Sequence, residues 1–374
     1  MSEATPLPPV PLVDLGLQHS RIAEEVREGF ERVLNRTAFV LGPEAEAFER
    51  AFAEYCGVRH CIGVASGTDA IELALRGSGI GAGDEVIVPT NTFVATAEAV
   101  VRAGATPVLV DCDDDYLIDV DAVSAAVTKR TRAVVPVHLY GQVAPMKEVR
   151  DAVPEDVVVI EDAAQSQGAV QSGRRAGSLG LAAATSFYPG KNLGAYGDAG
   201  AVMTDDDSVA ERVRRIRNHG GVNKYEHLEF GVNSRLDGLQ AVVLSLKLRR
   251  LDAWNAERRE AAARYDDLLA DLPEVLRPRT RPENEHVWHL YVVRVPRRDH
   301  VLAHLNSAGI GAGIHYPTPV HLLPAFAYLG HGQGVFPRAE HMAGEILSLP
   351  IFPGITAEQQ ERAADNLRRG LMTQ

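Results

Sequence analysis

The sequence predicts an α/β fold, a largely parallel β-sheet covered by helices on both faces, followed by a smaller α+β unit. Three observations lead there. Short apolar runs rich in β-branched residues recur at 85–88, 107–110, 133–137, 157–160, 183–187 and 201–203. Helical stretches at 98–103, 121–127 and 146–152 separate the first four, and strands alternating with helices imply parallel pairing. The runs are continuous rather than alternating, as strands buried on both faces are.

The elements follow in order. Residues 1–20 read as an N-terminal arm whose Pro-rich first part, 1–11, is extended. Ile22, Val26, Phe30 and Val33 recur at helical spacing over 21–34. Gly42-Pro43 is a break, and 44–55 forms another amphipathic helix. After the β/α repeats, 237–269 reads as one long helical stretch, with Leu239, Val243, Leu246 and Leu248 early in it. Pro273, Pro278 and Pro282 mark a loop. A strand at 289–295, a helix at 301–308, a Pro/His-rich loop and a terminal helix complete the chain. The expected division is an arm, 1–20, a large domain, 21–250, and a small C-terminal domain, 251–374.

Composition removes several classes of function. With 38 basic and 50 acidic residues the net charge is −12, which opposes a nucleic-acid partner because phosphates need a basic face. A local site for a small anion remains compatible with that charge. Cys56, Cys61 and Cys112 form no C-x-x-C pair, so they read as free thiols in a reducing cytoplasm rather than a disulfide framework or a zinc site. No basic segment followed by an apolar one opens the chain, and no apolar run reaches the roughly 18–20 residues of a membrane span. The expectation is a cytoplasmic protein without membrane partner or metal.

Three motifs carry chemistry. VVVIEDAAQSQGA, 157–169, delivers Glu161 and Asp162 to the carboxyl end of a buried strand, where ligands of open α/β sheets bind. An acid there can hold a cation or a protonated ring nitrogen; alone, it is more often a cap or an ion-pair partner. ATSFYPGKNLGAYGDAGAV, 184–202, places Lys191 in a turn bounded by Gly190, Gly194, Gly197 and Gly200. Glycines let backbone approach a ligand closely, whereas a lone loop lysine is commonly just solvated. GVASGTDAIELAL, 63–75, opens an amphipathic helix at Ser66-Gly67-Thr68, either as an ordinary N-cap or as a phosphate site at the helix N-terminus.

Other motifs fail on spacing. Gly190-Lys191 lacks the preceding glycine and following Ser/Thr of a P-loop. GSGIGAG, 77–83, has the wrong spacing for a dinucleotide fingerprint. Asp111, Asp113 and Asp115 start like a calcium loop, but Tyr116 and Ala122 stand where glycine and glutamate are needed, so an acidic surface turn is expected.

In combination, a phosphate-type helix start, a strand-end Asp about a hundred residues later and a lysine 29 positions beyond it have the order of fold-type I pyridoxal-phosphate (PLP) enzymes. The stretches ASGTDAIELAL, GDEVIVPTNTFVATAEAV, PVHLYG, VIEDAAQSQGA, SFYPGKNLGAYGDAGAV, NSRLDGLQAVVL and IHYPTPVHLLPAF resemble the DegT/DnrJ/StrS family of sugar aminotransferases over nearly the whole chain. The resemblance implies a fold-type I PLP-dependent transferase with a mostly parallel seven-stranded sheet. Lys191 matches the lysine that carries pyridoxal 5′-phosphate, and Asp162 the partner of its pyridine nitrogen. Gln165 matches a residue near the ring oxygen, Gly67, Thr68 and Ser186 the phosphate cradle, and Phe93 the stacking ring. Asn233 matches a residue that reaches the partner subunit's cofactor, which implies a homodimer with shared sites.

The branch around SFYPGKNLG and IHYPTPVH resembles enzymes that aminate C3 of dTDP-linked keto-6-deoxy sugars in deoxyamino-sugar and antibiotic biosynthesis. Tyr188, Lys224, His315 and Tyr316 are the candidate contacts for that nucleotide sugar. An amino acid, L-glutamate, would give its amino group in one half-reaction, leaving pyridoxamine 5′-phosphate, and the keto sugar would take it in the other, with Lys191 moving the proton both times. The alternatives are a 4-keto sugar aminotransferase and a non-transaminating PLP protein, regulatory or a sugar dehydratase. The dehydratase branch carries histidine at the lysine position, so Lys191 opposes that reading.

Overall fold

The computed structural model describes residues 8–372. Its centre is a seven-stranded sheet in the order His60–Val64, Gly200–Thr204, Ala182–Ser186, Val158–Asp162, Thr131–Val134, Glu85–Pro89, Thr106–Val110. Only Gly200–Thr204 runs antiparallel to its neighbours. The expected α/β class and mostly parallel sheet are both present.

The continuous apolar runs have a direct cause. Successive strand residues point to opposite faces. Val86 and Val88 enter the core on one face while Ile87 enters that on the other, and Ala182 and Ala184 likewise oppose Ala183. One face is covered by Gly67–Gly77, Val94–Arg102 and Asp207–Ile216, and the other by Gly42–Cys56, Gly238–Leu248 and Met146–Asp151. Each fully buried aliphatic side chain, such as Leu73 or Ile87, contributes about 1.5–3 kcal/mol.

Several expected elements shift. The 237–269 stretch is two helices, Gly238–Leu248 and Leu251–Leu268, because its apolar residues serve different cores: Ala241 and Leu244 pack under the sheet, Ala261 and Tyr265 in the C-terminal core. Gly42-Pro43 is not a break but the first turn of Gly42–Cys56, where a proline loses no helical hydrogen bond. The strand His60–Val64 escaped notice because Cys61 and Gly63 dilute its apolar run. Asp207–Ile216 and Pro337–Glu345 are further helices without an expected counterpart.

The C-terminal part pairs Tyr291–Arg294 with Ile346–Leu349 against Leu251–Leu268, Arg298–Ser307 and Ala357–Met372. Residues 1–7 of the expected arm lie outside the described residues. Beyond them Val10 is fully buried in this C-terminal core, bridges Ile310, and precedes the short helix Leu15–Ser20. The Asp111–Asp115 segment is not a free surface turn. Asp113 accepts from the N–H groups of Asp115 and Leu117 and pairs with Arg281, and Asp111 accepts from those of Arg338 and Ala339. The three cysteines are free and buried. Among the described residues no helix is long and apolar enough to cross a membrane, and no group of three or more His, Cys, Asp or Glu could hold a metal ion.

Candidate active site

A cavity of about 450 Å³ opens beyond the carboxyl ends of the sheet strands. At its floor Val158–Asp162 ends in Asp162, which is buried. Thr96 Oγ1 donates to Asp162 Oδ2 at 2.7 Å, and the Ala164 N–H to Oδ1 at 3.1 Å. Burial pushes this carboxyl above the ordinary aspartate range against both hydrogen bonds and the nearby Lys191. A positive ring nitrogen facing it would favour the carboxylate.

Lys191 enters the same cavity from the turn after Ala182–Ser186. Its N–H donates to Tyr188 O at 2.9 Å, and Ala195 N–H to Phe187 O at 2.8 Å, closing the turn. A Cβ on Gly194 would stand 2.2 Å from Pro189 O, so only glycine lets the turn fold back this tightly. Burial lowers the Lys191 ammonium to about 8, and Asp162 opposes the shift. A neutral, nucleophilic amine is therefore accessible near physiological pH.

The cavity's opposite end is built for an anion. Ser66 caps the helix Gly67–Gly77, its Oγ accepting from Asp69 N–H at 3.1 Å. The N–H groups of the first turn have no intrahelical acceptor and face positive dipole charge outward. Ser186 stands opposite: a Cβ on Gly67 would lie 2.4 Å from Ser186 Cβ, and one on Gly200 2.3 Å from Ser66 O. Glycine at both positions lets strand and helix start approach closely.

The remaining expected residues divide. Phe93, half exposed, lines the cavity with its ring centroid 5.1 Å from that of Tyr316. Gln165 accepts from Tyr140 N–H at 2.6 Å and donates to Tyr316 Oη at 3.1 Å. His315 Nδ1 lies 2.8 Å from Ser348 Oγ, and burial with the Lys191 charge pushes its imidazole down to about 4. Tyr188 lines the rim. Two residues stand apart. Lys224 lies on the exposed hairpin of Gly221–Asn223 and Glu226–His227, 5.5 Å over the ring of Tyr225. Asn233 is exposed and bridges Asn218, outside the cavity.

Sequence reasoning missed Thr96, Asp198 and His289, and Leu12 and Val13 from the N-terminal segment, all lining the cavity. Thr96 sits in the quoted motif three residues after Phe93 and could have been found there; nothing local marks Leu12 or Val13.

The comparison with known proteins agrees with this geometry. Residues 20–368 match the DegT/DnrJ/EryC1/StrS aminotransferase family. The chain belongs to that family. As a DegT/DnrJ/EryC1/StrS aminotransferase it is 48% identical over 370 residues to a dTDP-3-amino-3,4,6-trideoxy-alpha-D-glucose transaminase of Streptomyces venezuelae, covering 98% of each chain. The crystal structure of DesV from S. venezuelae superposes with a TM-score of 0.95 at 47% identity, over 98% of this chain and 100% of that one. The structure of NtdA from Bacillus subtilis with bound pyridoxamine phosphate superposes at 0.89 and 31% identity, over 99% of this chain and 86% of the other.

The cavity fits this family's cofactor, pyridoxal 5′-phosphate. A buried acid, a half-buried amine without a hydrogen-bond or ion-pair partner among the described residues, and a glycine-lined helix start beside a serine hydroxyl are the donor set that a pyridinium, an aldehyde and a phosphate require.

Proposed function

We propose that this PLP-dependent aminotransferase transfers an amino group from an amino acid, L-glutamate, to the C3 keto group of a dTDP-linked keto-6-deoxy sugar in deoxyamino-sugar biosynthesis, including that of antibiotics. One observation carries the reaction class: the Lys191 amine, lowered to about 8, shares a cavity with the buried Asp162 carboxyl. The sugar and its position rest on the name borne by the S. venezuelae relative, on a cavity that is mainly apolar between Leu12, Val13, Phe93 and Leu290, and on His315 and Tyr316 at its wall.

The bound cofactor supplies an electron sink for a carbanion at the donor's α-carbon. Asp162, oriented by Thr96, would hold the proton on the pyridine nitrogen. The first-turn N–H groups of Gly67 and Thr68 and the Ser186 hydroxyl hold the phosphate. Phe93, which lines the cavity, would cover one ring face. With the cofactor bound, Lys191 Nζ would remove the α-proton of the amino donor and return it to the carbon on the far side of the shared nitrogen, and would run the same transfer in reverse on the sugar.

Asn233, placed on the surface, reaches the second subunit's phosphate in a cytoplasmic homodimer, and Lys224 on its hairpin meets the sugar's diphosphate in the same way. The chain divides functionally into an arm, 1–20, a cofactor domain, 21–250, and a small domain, 251–374. The separate C-terminal core around Tyr265, Val293 and Leu367 supports that division.

The test begins with a visible spectrum of the PLP-loaded protein. A yellow band bleached by L-glutamate, followed by amination of 3-keto but not 4-keto dTDP-sugars, is the expected result. A band indifferent to every amino donor would identify a non-transaminating protein. No band with added PLP would overturn the reading, and preference for a 4-keto or UDP-linked sugar would overturn its substrate.

A further inference from the structure

Beneath Lys191 lies a chain of buried amides whose orientation can be fixed without seeing hydrogens. Asn255 Nδ2 lies 2.9 Å from the main-chain oxygen of Gln167, which can only accept. Asn255 Oδ1 is therefore an acceptor, and Asn192 Nδ2 donates to it at 2.9 Å. Val287 O, also 2.9 Å from Asn192 Nδ2, takes the second hydrogen and settles the same orientation independently. Asn192 Oδ1 is then an acceptor, and its partner is His289 Nδ1 at 3.2 Å. The imidazole must carry its proton on Nδ1.

The other ring nitrogen, Nε2, has no protein partner among the described residues, and the ring borders the cavity that holds Lys191. The charged and titratable groups around it are Lys191, Arg258, His315 and His286. Asp162 and Asp198 line the same cavity, but the groups acting most strongly on the ring are all basic, and burial drives it well below the usual histidine range. Arg258 donates to the main-chain oxygens of Trp288 and Ile351 and holds this segment in place.

We propose that His289 is a further catalytic residue: fixed by Asn192 in its Nδ1–H form, it presents the Nε2 lone pair to the cavity and accepts a hydrogen bond from the Lys191 ammonium while that amine carries the transferred proton. The proposal rests on the aminotransferase reading of the site. It gives Asn192 a task beside its neighbour Lys191, since the residue after the reactive lysine sets the tautomer of the group that receives its hydrogen bond.

The test compares wild type, His289→Leu and His289→Gln, with folding checked by circular dichroism. The rate at which apoenzyme captures PLP is followed against pH to read the Lys191 ionisation directly. The wild-type midpoint is expected near 8. Both His289→Leu and His289→Gln should leave it near that value, because in the apoenzyme the Lys191 amine has no hydrogen-bond partner among the described residues, and the effect should be confined to turnover. In single turnovers with L-glutamate, His289→Leu should slow the limiting rate about ten- to a hundredfold with half-saturation nearly unchanged, and His289→Gln should recover much of it.

An unchanged limiting rate in His289→Leu, or no recovery with His289→Gln, overturns the proposal. If the leucine variant does not fold, nitrogen NMR of ¹⁵N-histidine-labelled wild type decides: an unprotonated His289 Nε2 supports the assignment and a protonated one overturns it. Failure of wild-type apoenzyme to capture PLP at any pH would instead sink the functional reading itself.

Discussion

Thr96 and Asp162, 66 residues apart in sequence, meet through a 2.7 Å hydrogen bond in which the hydroxyl donates to the carboxylate. Thr92 Oγ1 lies 2.8 Å from the same hydroxyl and completes its environment. A buried acid that must stay ionised opposite a ring nitrogen depends on such donors.

Thr96→Val keeps the shape and removes the donor. A hydrogen bond to a charged group contributes about 1.5–3 kcal/mol, so PLP should dissociate about ten- to a hundredfold more readily. Fluorescence titration of apoenzyme with PLP checks this; unchanged affinity would mean that Thr96 only fills space.

Gly67→Ala places a methyl group 2.4 Å from Ser186 Cβ and 3.0 Å from Ser186 Cα, which is backbone and cannot simply rotate aside. The helix start and the strand end must separate. We expect phosphate affinity to drop at least tenfold and stability to fall by about 1–3 kcal/mol, seen as a lower Tm of the apoenzyme.

Glu161, beside Asp162 but pointing to the other face, accepts from Gly177, Leu179 and Gly180 N–H at 2.7, 2.6 and 2.9 Å. His138 Nε2 completes the set at 2.9 Å, its Nδ1 accepting from Ala144 N–H, so the ring's proton faces the carboxylate. Burial works to raise this carboxyl, but the donors hold it below the usual glutamate range. Its folded value lies below the unfolded one, so its stabilisation is complete above about pH 4.3 and is lost as pH falls through the folded value. Glu161→Gln turns an amide toward N–H donors and should cost about 3 kcal/mol in urea unfolding while flattening the acid limb of the stability curve.

Lys191→Ala should abolish the yellow band, and Asn233→Ala should weaken cofactor binding without removing it. Mixed subunits of the two variants contain one site with Lys191 from one chain and Asn233 from the other. Recovery of activity on mixing is the expected result; no recovery after demonstrated subunit exchange would exclude the shared site.

What the sequence revealed follows physical locality. The parallel sheet was legible because strands such as Val86–Ile87–Val88 are apolar on both faces, and Asp162 and Lys191 were legible because each ends or follows such a strand. His60–Val64 was not, since a short edge strand with a glycine carries little pattern. Leu12, Val13 and His289 reach the cavity only through contacts made far along the chain, and the break at Arg249–Arg250 reflects which core each helix meets. Asn192 stood inside the motif, but its role depends on Asn255, 63 residues away.

The burial of Val10 among Leu305, Ile310 and Leu367 has a consequence for how the molecule comes into being. The segment that sets Leu12 and Val13 into the cavity wall cannot dock until residues beyond 360 have left the ribosome. The sheet and the Asp162–Lys191 pair need none of these late contacts, whereas the wall that Leu12 and Val13 add to the cavity needs the C-terminal core. The N-terminal stretch of the cavity wall is therefore the part that depends on both ends of the chain being present.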